Sequence, residues 1–209
     1  MAGYIGSKAV LLSTTAAEVS GDADIGGSVL VDTIKADNGT TAMTIDSSGD
    51  VTESNFCLSY WHKSTNSETI STLTVIDDWT EVSDGNGFKR IGGAFTESSG
   101  VFTFPRTGVY KLDAQFAFNK TDPSRYVGGY ISFTSNNGGS YDNFSVFQDL
   151  NDDSSNTVYT SIKVIRYLNI TDTSTHKVKF QFESATAVDL RGAMADTNVV
   201  FQRLAPPQS

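Results

Sequence analysis

Along residues 108–118, "GVYKLDAQFAF", apolar and polar positions alternate with a period of two. Tyr110, Leu112, Ala114, Phe116 and Phe118 share one face, and Lys111, Asp113 and Gln115 share the other. Successive side chains of an extended chain point to opposite sides, so this is a strand with one hidden, aromatic-rich face. "HKVKFQFES" repeats the pattern, with Val178, Phe180 and Phe182 inward and Lys177, Lys179, Gln181 and Glu183 outward. The same reading predicts strands near 56–62, 70–76, 88–95, 100–105, 126–135, 142–149, 157–170, 176–183 and 197–204. Turn-forming stretches separate them: "DDW", "SDGNG", "ESSG", "KTDPS", "SNNGGS", "NDDSSN", "TDTST" and "SATAVDLRGAMAD". Many short strands without helical periodicity predict an all-β sandwich or barrel, whose core takes one apolar face from each of two sheets.

One strand breaks the alternation. In "YTSIKVIRYLNI", Ile162, Val164, Leu168 and Ile170 fill one face, yet Ile165 and Tyr167 are apolar on the other. A strand apolar on both faces is covered on both faces. Two coverings fit: a packed loop of the same chain, or a neighbouring subunit. The second makes Ile165 and Tyr167 candidate interface residues.

Residues 1–54 have a different texture from 55–209. They are rich in small and turn residues, with Tyr4 as the one aromatic. Asn38-Gly39 and Ser48-Gly49 are turn signals, and "TTAMTID" between them is long enough for one short strand. The apolar residues Val29, Val31, Ile34, Met43, Ile45 and Val51 are too sparse for a self-sufficient core, so this segment is expected to pack against something else.

The chain has 209 residues, of which 19% are charged and 11% aromatic, and a net charge of −9. The aromatics suffice for a core, and the negative charge would repel a phosphate backbone or an anionic membrane surface. No apolar run approaches the ~20 residues of a bilayer-spanning helix, so neither nucleic acid nor membrane insertion is expected. The single cysteine, Cys57, excludes an intrachain disulfide and reads as a small core residue.

Candidate chemistry is thin. His62 and His176 lie among polar residues in strand patterns and match no zinc spacing. No nucleophile elbow, phosphate loop or dinucleotide fingerprint occurs. The acidic pairs Asp77-Asp78 and Asp152-Asp153 sit in turn-rich segments, where aspartates commonly form solvated turns. As paired carboxylates they keep glycan hydrolysis open as a rival reading. No cofactor is expected; the oxygens of "DLNDDSSN" and "SDGNG" would suit Ca²⁺, without EF-hand spacing. Arg191-Gly192-Ala193 reads as a loop tripeptide.

Two resemblances sharpen the expectation. Gly100-x-Phe102, Pro105 and Gly108-x-Tyr110-x-Leu112 resemble the central signature of the C1q/TNF-like jelly roll, a likeness running from about residue 56 to "TNVVFQRL" near 205. "MAGYIGSK" resembles the opening of many phage fibre and virion proteins, and "DTIKADNGTTAMTIDSSGDV" resembles a stem element of phage tail fibres that threads three chains together. Together they imply a homotrimeric, non-enzymatic virion-surface protein, made in the host cytoplasm. Residues 1–54 would attach to other virion proteins, and residues 55–209 would form a jelly-roll head. The resemblance implies a tail fibre or spike that touches a host-surface glycan or protein. Its rivals are a capsid decoration or head fibre, a stand-alone C1q-like binding module, and a glycan depolymerase. Loops at the end of the sandwich away from the stem are the expected contact sites, with Asn136, Asn137, Tyr141, Asp142, Asp152 and Asp153 as candidates, because an aromatic beside amides and carboxylates suits a sugar ring.

Overall fold

The computed structural model describes residues 33–35, 41–49, 51–53, 56–65, 68–120, 124–150 and 158–209. The chain divides after Asp32 into two units, and the described residues all belong to the second, Thr33–Ser209. Three short strands open it: β1 (Thr33–Lys35), β2 (Thr41–Ile45) and β3 (Val51–Glu53), paired antiparallel as their own small sheet. The turn between β2 and β3 closes on the Gly49 N–H to Asp46 C=O bond. Thirteen strands follow: β4 (Cys57–Lys63), β5 (Glu68–Ile70), β6 (Thr74–Val75), β7 (Trp79–Glu81), β8 (Thr96–Ser98), β9 (Val101–Thr103) and β10 (Gly108–Lys120), then β11 (Ser124–Thr134), β12 (Asp142–Leu150), β13 (Val158–Ile170), β14 (Lys177–Ser184), β15 (Val188–Leu190) and β16 (Asn198–Ala205).

They form two antiparallel sheets. The first runs β5-β15-β10-β16-β4-β7, with β13 on the other edge of β10; the second runs β12-β11-β14-β9-β8, with β6 also on β14. Tyr110, Leu112, Ala114, Phe116 and Phe118 of β10 are all buried, as are Val178, Phe180 and Phe182 of β14. These two rows face each other, which is the sandwich the alternation predicted. Its centre is a cluster of rings: Phe201 lies 4.3 Å from Phe95, 5.1 Å from Phe102 and 5.8 Å from Phe180, centroid to centroid. Trp61 and Trp79 meet Phe102 edge-on at 5.2 and 5.8 Å. Edge-to-face rings gain from their quadrupoles beyond the area they bury. Gly129 makes room at the other end, since a Cβ there would stand 2.5 Å from the Phe116 ring.

Two predicted elements differ. Residues 88–95 form no strand. They run outside β4, held by the Leu58–Ile91 backbone bridge and by Phe88 against Tyr60 at 5.8 Å. Trp79, in the "DDW" stretch read as a breaker, begins β7 and is buried, with its indole N–H donated to Ile76 C=O at 2.7 Å. Cys57 is buried as expected and donates to Gly93 C=O at 3.4 Å; burial pushes its thiol pKa up, leaving it little nucleophilic character.

The strand registers define two ends of the sandwich. At one, here the base, β4 begins: Cys57 pairs with Arg203, Val109 with Ala205, and Gly108 with Ile170. At the other, the crown, His62 pairs with Asn198, Phe118 with Leu190, and Lys120 with Val158.

Candidate functional site

The "SNNGGSYDN" turn joins β11 to β12 at the base, because Thr134 pairs with Lys177, where β14 starts, and the Asn137 N–H donates to Thr175 C=O at 2.8 Å. This differs from the expectation that the candidate contact loop stands at the end away from the stem. The residues are occupied in building the turn. Asn136 accepts from Thr134 Oγ1 at 2.7 Å and from the Ser140 N–H at 3.0 Å, while Asn137 takes the left-handed conformation at φ 57°. Tyr141 is half-buried with the Lys179 ammonium 4.1 Å from its ring centroid, so one ring face is already covered. Asp142 is exposed, and its backbone C=O accepts from Arg166 at 3.1 Å. Asp152 and Asp153 lie outside the described residues.

The interface candidates lie where β13 forms an open edge, paired among the described strands to β10 alone. Ile165 is 42% and Tyr167 63% exposed, on the outer face of the first sheet opposite Asp113 and Lys111. The 191–197 loop of the same chain reaches this face of β13 only near its start, where Arg191 lies over Tyr159. The neighbouring edge of the second sheet, β12, adds exposed Phe144 and Val146. Arg166 ties the two edges together. It donates to Ile131 C=O at 3.2 Å and to Asp142 C=O, and its guanidinium lies 5.6 Å from the Phe144 ring. Exposed apolar side chains on two adjoining open edges make a surface suited to another chain.

At the crown the 191–197 loop closes over the ends of β10 and β13. Arg191 N–H donates to Ala117 C=O at 2.8 Å, Thr197 Oγ1 accepts from the Ala117 N–H at 3.1 Å, and Tyr60 OH donates to Met194 C=O at 2.6 Å. Gly192 sits so tightly on the Thr65 carbonyl that a Cβ would be 1.4 Å from its oxygen, so only glycine fits. Thr65 is held in turn by Asp78, whose carboxylate accepts its N–H at 2.7 Å and pairs with the buried Lys63 ammonium at 2.7 Å. The loop leaves an open groove of about 460 Å³, lined by Gln115, Tyr159, Ser161, Arg191 and Asp196 among others. None of these residues stood out in the sequence as a site, and Arg191 read only as loop.

The Lys63–Asp78 pair yields a pH prediction. Burial alone would push the Asp78 carboxyl up, but hydrogen bonds from Lys63 and Thr65 outweigh it and hold it below the usual carboxylate range. A depressed folded-state value stabilises the fold at pH above the unfolded carboxylate range, and that gain is lost as pH falls through the folded value. Asp78→Asn should therefore lower stability at pH 7 and flatten its decline below about pH 4, the ordinary aspartate range. Denaturant melts of both proteins across pH 2.5–7 check this; parallel curves would remove Asp78 from the acid response.

His62 Nδ1 lies 2.9 Å from Lys63 C=O. His176 stacks on Phe133 at 5.3 Å, and its Nδ1 accepts the Asp172 N–H at 2.9 Å. Both imidazoles are thus engaged in holding local structure. Among the described residues no group of three His, Cys, Asp or Glu side chains gathers to hold a metal ion.

No protein-family model and no curated protein matches the chain. Among solved structures it is similar to Eiger TNF from S. frugiperda, with a TM-score of 0.60 at 13% identity, covering 74% of this chain and 96% of that one. It is also similar to murine APRIL, with a TM-score of 0.53 at 16% identity, covering 71% and 99%. At such identities the likeness establishes the fold: a TNF-like jelly-roll β-sandwich.

Proposed function

We propose that this chain is a non-enzymatic surface appendage of a bacteriophage virion, a homotrimer made in the host cytoplasm whose jelly-roll head projects outward to adhere to a host surface. The observation that carries the assembly is the set of exposed apolar side chains Phe144, Val146, Ile165 and Tyr167 on two adjoining strands whose outer edges no other described strand pairs. Other chains packed around an axis would bury it and remove both open edges at once. The phage setting is supported by the likeness of "DTIKADNGTTAMTIDSSGDV" to fibre stems, which need neighbouring chains to complete their cores. A binding rather than catalytic role is supported by the structural engagement of His62, His176 and Asp78.

The division of labour is open to a direct test. A form starting near Ser54 should fold as a head yet fail to join particles, because residues 1–54 make the attachment to other virion proteins. Measured by particle incorporation in a phage complementation assay, normal uptake of the truncated head would overturn the attachment role.

A further inference from the structure

We infer that the crown groove beside Tyr159 is a binding site for a neutral pyranose, with adjacent hydroxyls held between Arg191 and Asp196. The inference deepens the appendage reading and rests on it for what the ligand is for; the site itself lies within one chain.

The chemistry is legible atom by atom. Tyr159 is 65% exposed, with the Arg191 guanidinium 5.2 Å from its ring centroid. Arg191 Nε donates to Asp196 Oδ2 at 3.1 Å, and Gln115 Nε2 donates to the backbone carbonyls of Ala195 and Asp196 at 3.2 and 2.9 Å. Those bonds orient each group while leaving its remaining valences open. Among the described residues, the Arg191 Nη groups, Asp196 Oδ1, Gln115 Oε1 and the hydroxyls of Ser161 and Tyr159 have no protein partner. A pair of neighbouring sugar hydroxyls needs a donor and an acceptor side by side, and an aromatic ring takes the C–H face.

Charge selects among sugars. Arg191 is already matched by Asp196, and the chain carries a net −9, so a carboxylated or sulfated ligand gains no net attraction. A neutral ring meets no such penalty. The site is also preorganised: the loop holding Arg191 and Asp196 is pinned to Ala117, Tyr60 and Thr65 before any ligand arrives. Its position separates it from the exposed apolar residues of the two edges. Tyr159 lies six residues along β13 from Ile165, about 20 Å at strand rise, with polar Ser161 and Lys163 between them on the same face.

Saturation-transfer NMR on the full-length protein tests this, using methyl α-mannopyranoside, methyl β-galactopyranoside and methyl β-glucopyranoside, with methyl β-glucuronide as the charged counterpart. At least one neutral pyranoside should receive saturation, with binding at least tenfold weaker in Tyr159→Ala and in Arg191→Gln. Tyr159 is 65% exposed and its ring meets only the Arg191 guanidinium among the described side chains, so its removal is expected to leave the fold intact, and thermal melts of both variants verify this. The inference is overturned if no neutral pyranoside binds, if both variants bind as the parent does, or if the glucuronide binds better than every neutral ring. Sedimentation of the same samples reads assembly separately: a trimer that binds no pyranoside sinks the sugar site and leaves the appendage, whereas a stable monomer that binds one does the reverse.

Discussion

Replacing Phe201 by alanine is expected to lower stability by about 3–5 kcal/mol, the usual cost of deleting a buried phenylalanine ring. Phe201 is fully buried on β16, between Leu112 of β10 and Ser59 of β4 in register. Its ring meets Phe95 from the segment before β8 and Phe102 and Phe180 from the facing sheet, so no single neighbour can move in to fill the space. The cavity would stay open, and the edge-to-face pairs with Phe180 and Phe104 would vanish with it. Denaturant unfolding at fixed protein concentration measures the loss, since the stability of an assembled protein depends on concentration. Phe147→Ala is the control. That ring is half-exposed on β12, over Gly128 and edge-on to Tyr126 and Tyr130, so its loss should cost well under the Phe201 effect. Equal losses at the two positions would show that the ring cluster is not the centre of the core.

The protein is expected to sediment as three chains, and a carboxylate placed among the exposed apolar residues of β13 should reduce it to one. An unpaired charge buried in a dry interface costs about 3 kcal/mol or more. A trimer contains the substitution three times, so the total is roughly 9 kcal/mol, more than six orders of magnitude in the assembly constant. The two positions are not equivalent. Asp at position 167 would lie opposite Lys111, which softens the effect, whereas Asp at 165 would lie opposite Asp113. Asp113 is engaged by Lys163 at 3.0 Å and Lys111 at 3.5 Å, so a second carboxylate there would compete for the same ammonium groups. Ile165→Asp should therefore dissociate the assembly more completely than Tyr167→Asp, with the head of each remaining folded by circular dichroism. A parent protein that sediments as a stable monomer with a cooperative melt would end the trimer proposal, as would Ile165→Asp chains that still sediment as three.

What could be read directly from the chain was whatever depends on neighbours in sequence. Side chains of a strand alternate by geometry, so the buried row Tyr110–Phe118 and the buried row Val178–Phe182 were visible before any fold was known. The second apolar face of β13 was visible for the same reason, although not what covers it. Short elements escaped. Trp79 begins a three-residue strand, too brief to show a period, and what buries it is Phe102 and Phe180 from distant parts of the chain. Residues 88–95 had strand-like composition, yet Gly92 with φ 77° and the bridge to Leu58 turn them along the outside of β4.

The ends of the sandwich were the other thing hidden. Which loops share an end follows from strand register, a property of paired strands and not of either alone. The "SNNGGSYDN" turn belongs to the base because Thr134 meets Lys177, and no local pattern in either segment encodes that meeting. The crown groove brings Gln115, Tyr159 and Asp196 together from positions 37 or more residues apart, through one loop pinned by Ala117, Tyr60 and Thr65. The sequence by itself determined an all-β sandwich or barrel with a hidden aromatic core, because alternation is a local consequence of extended backbone, and the jelly-roll order of its strands came only from the resemblance of the Gly100–Leu112 segment. Only the tertiary structure decided where apolar side chains stay exposed and where a donor, an acceptor and a ring converge, because both depend on long-range pairing that places unrelated segments side by side.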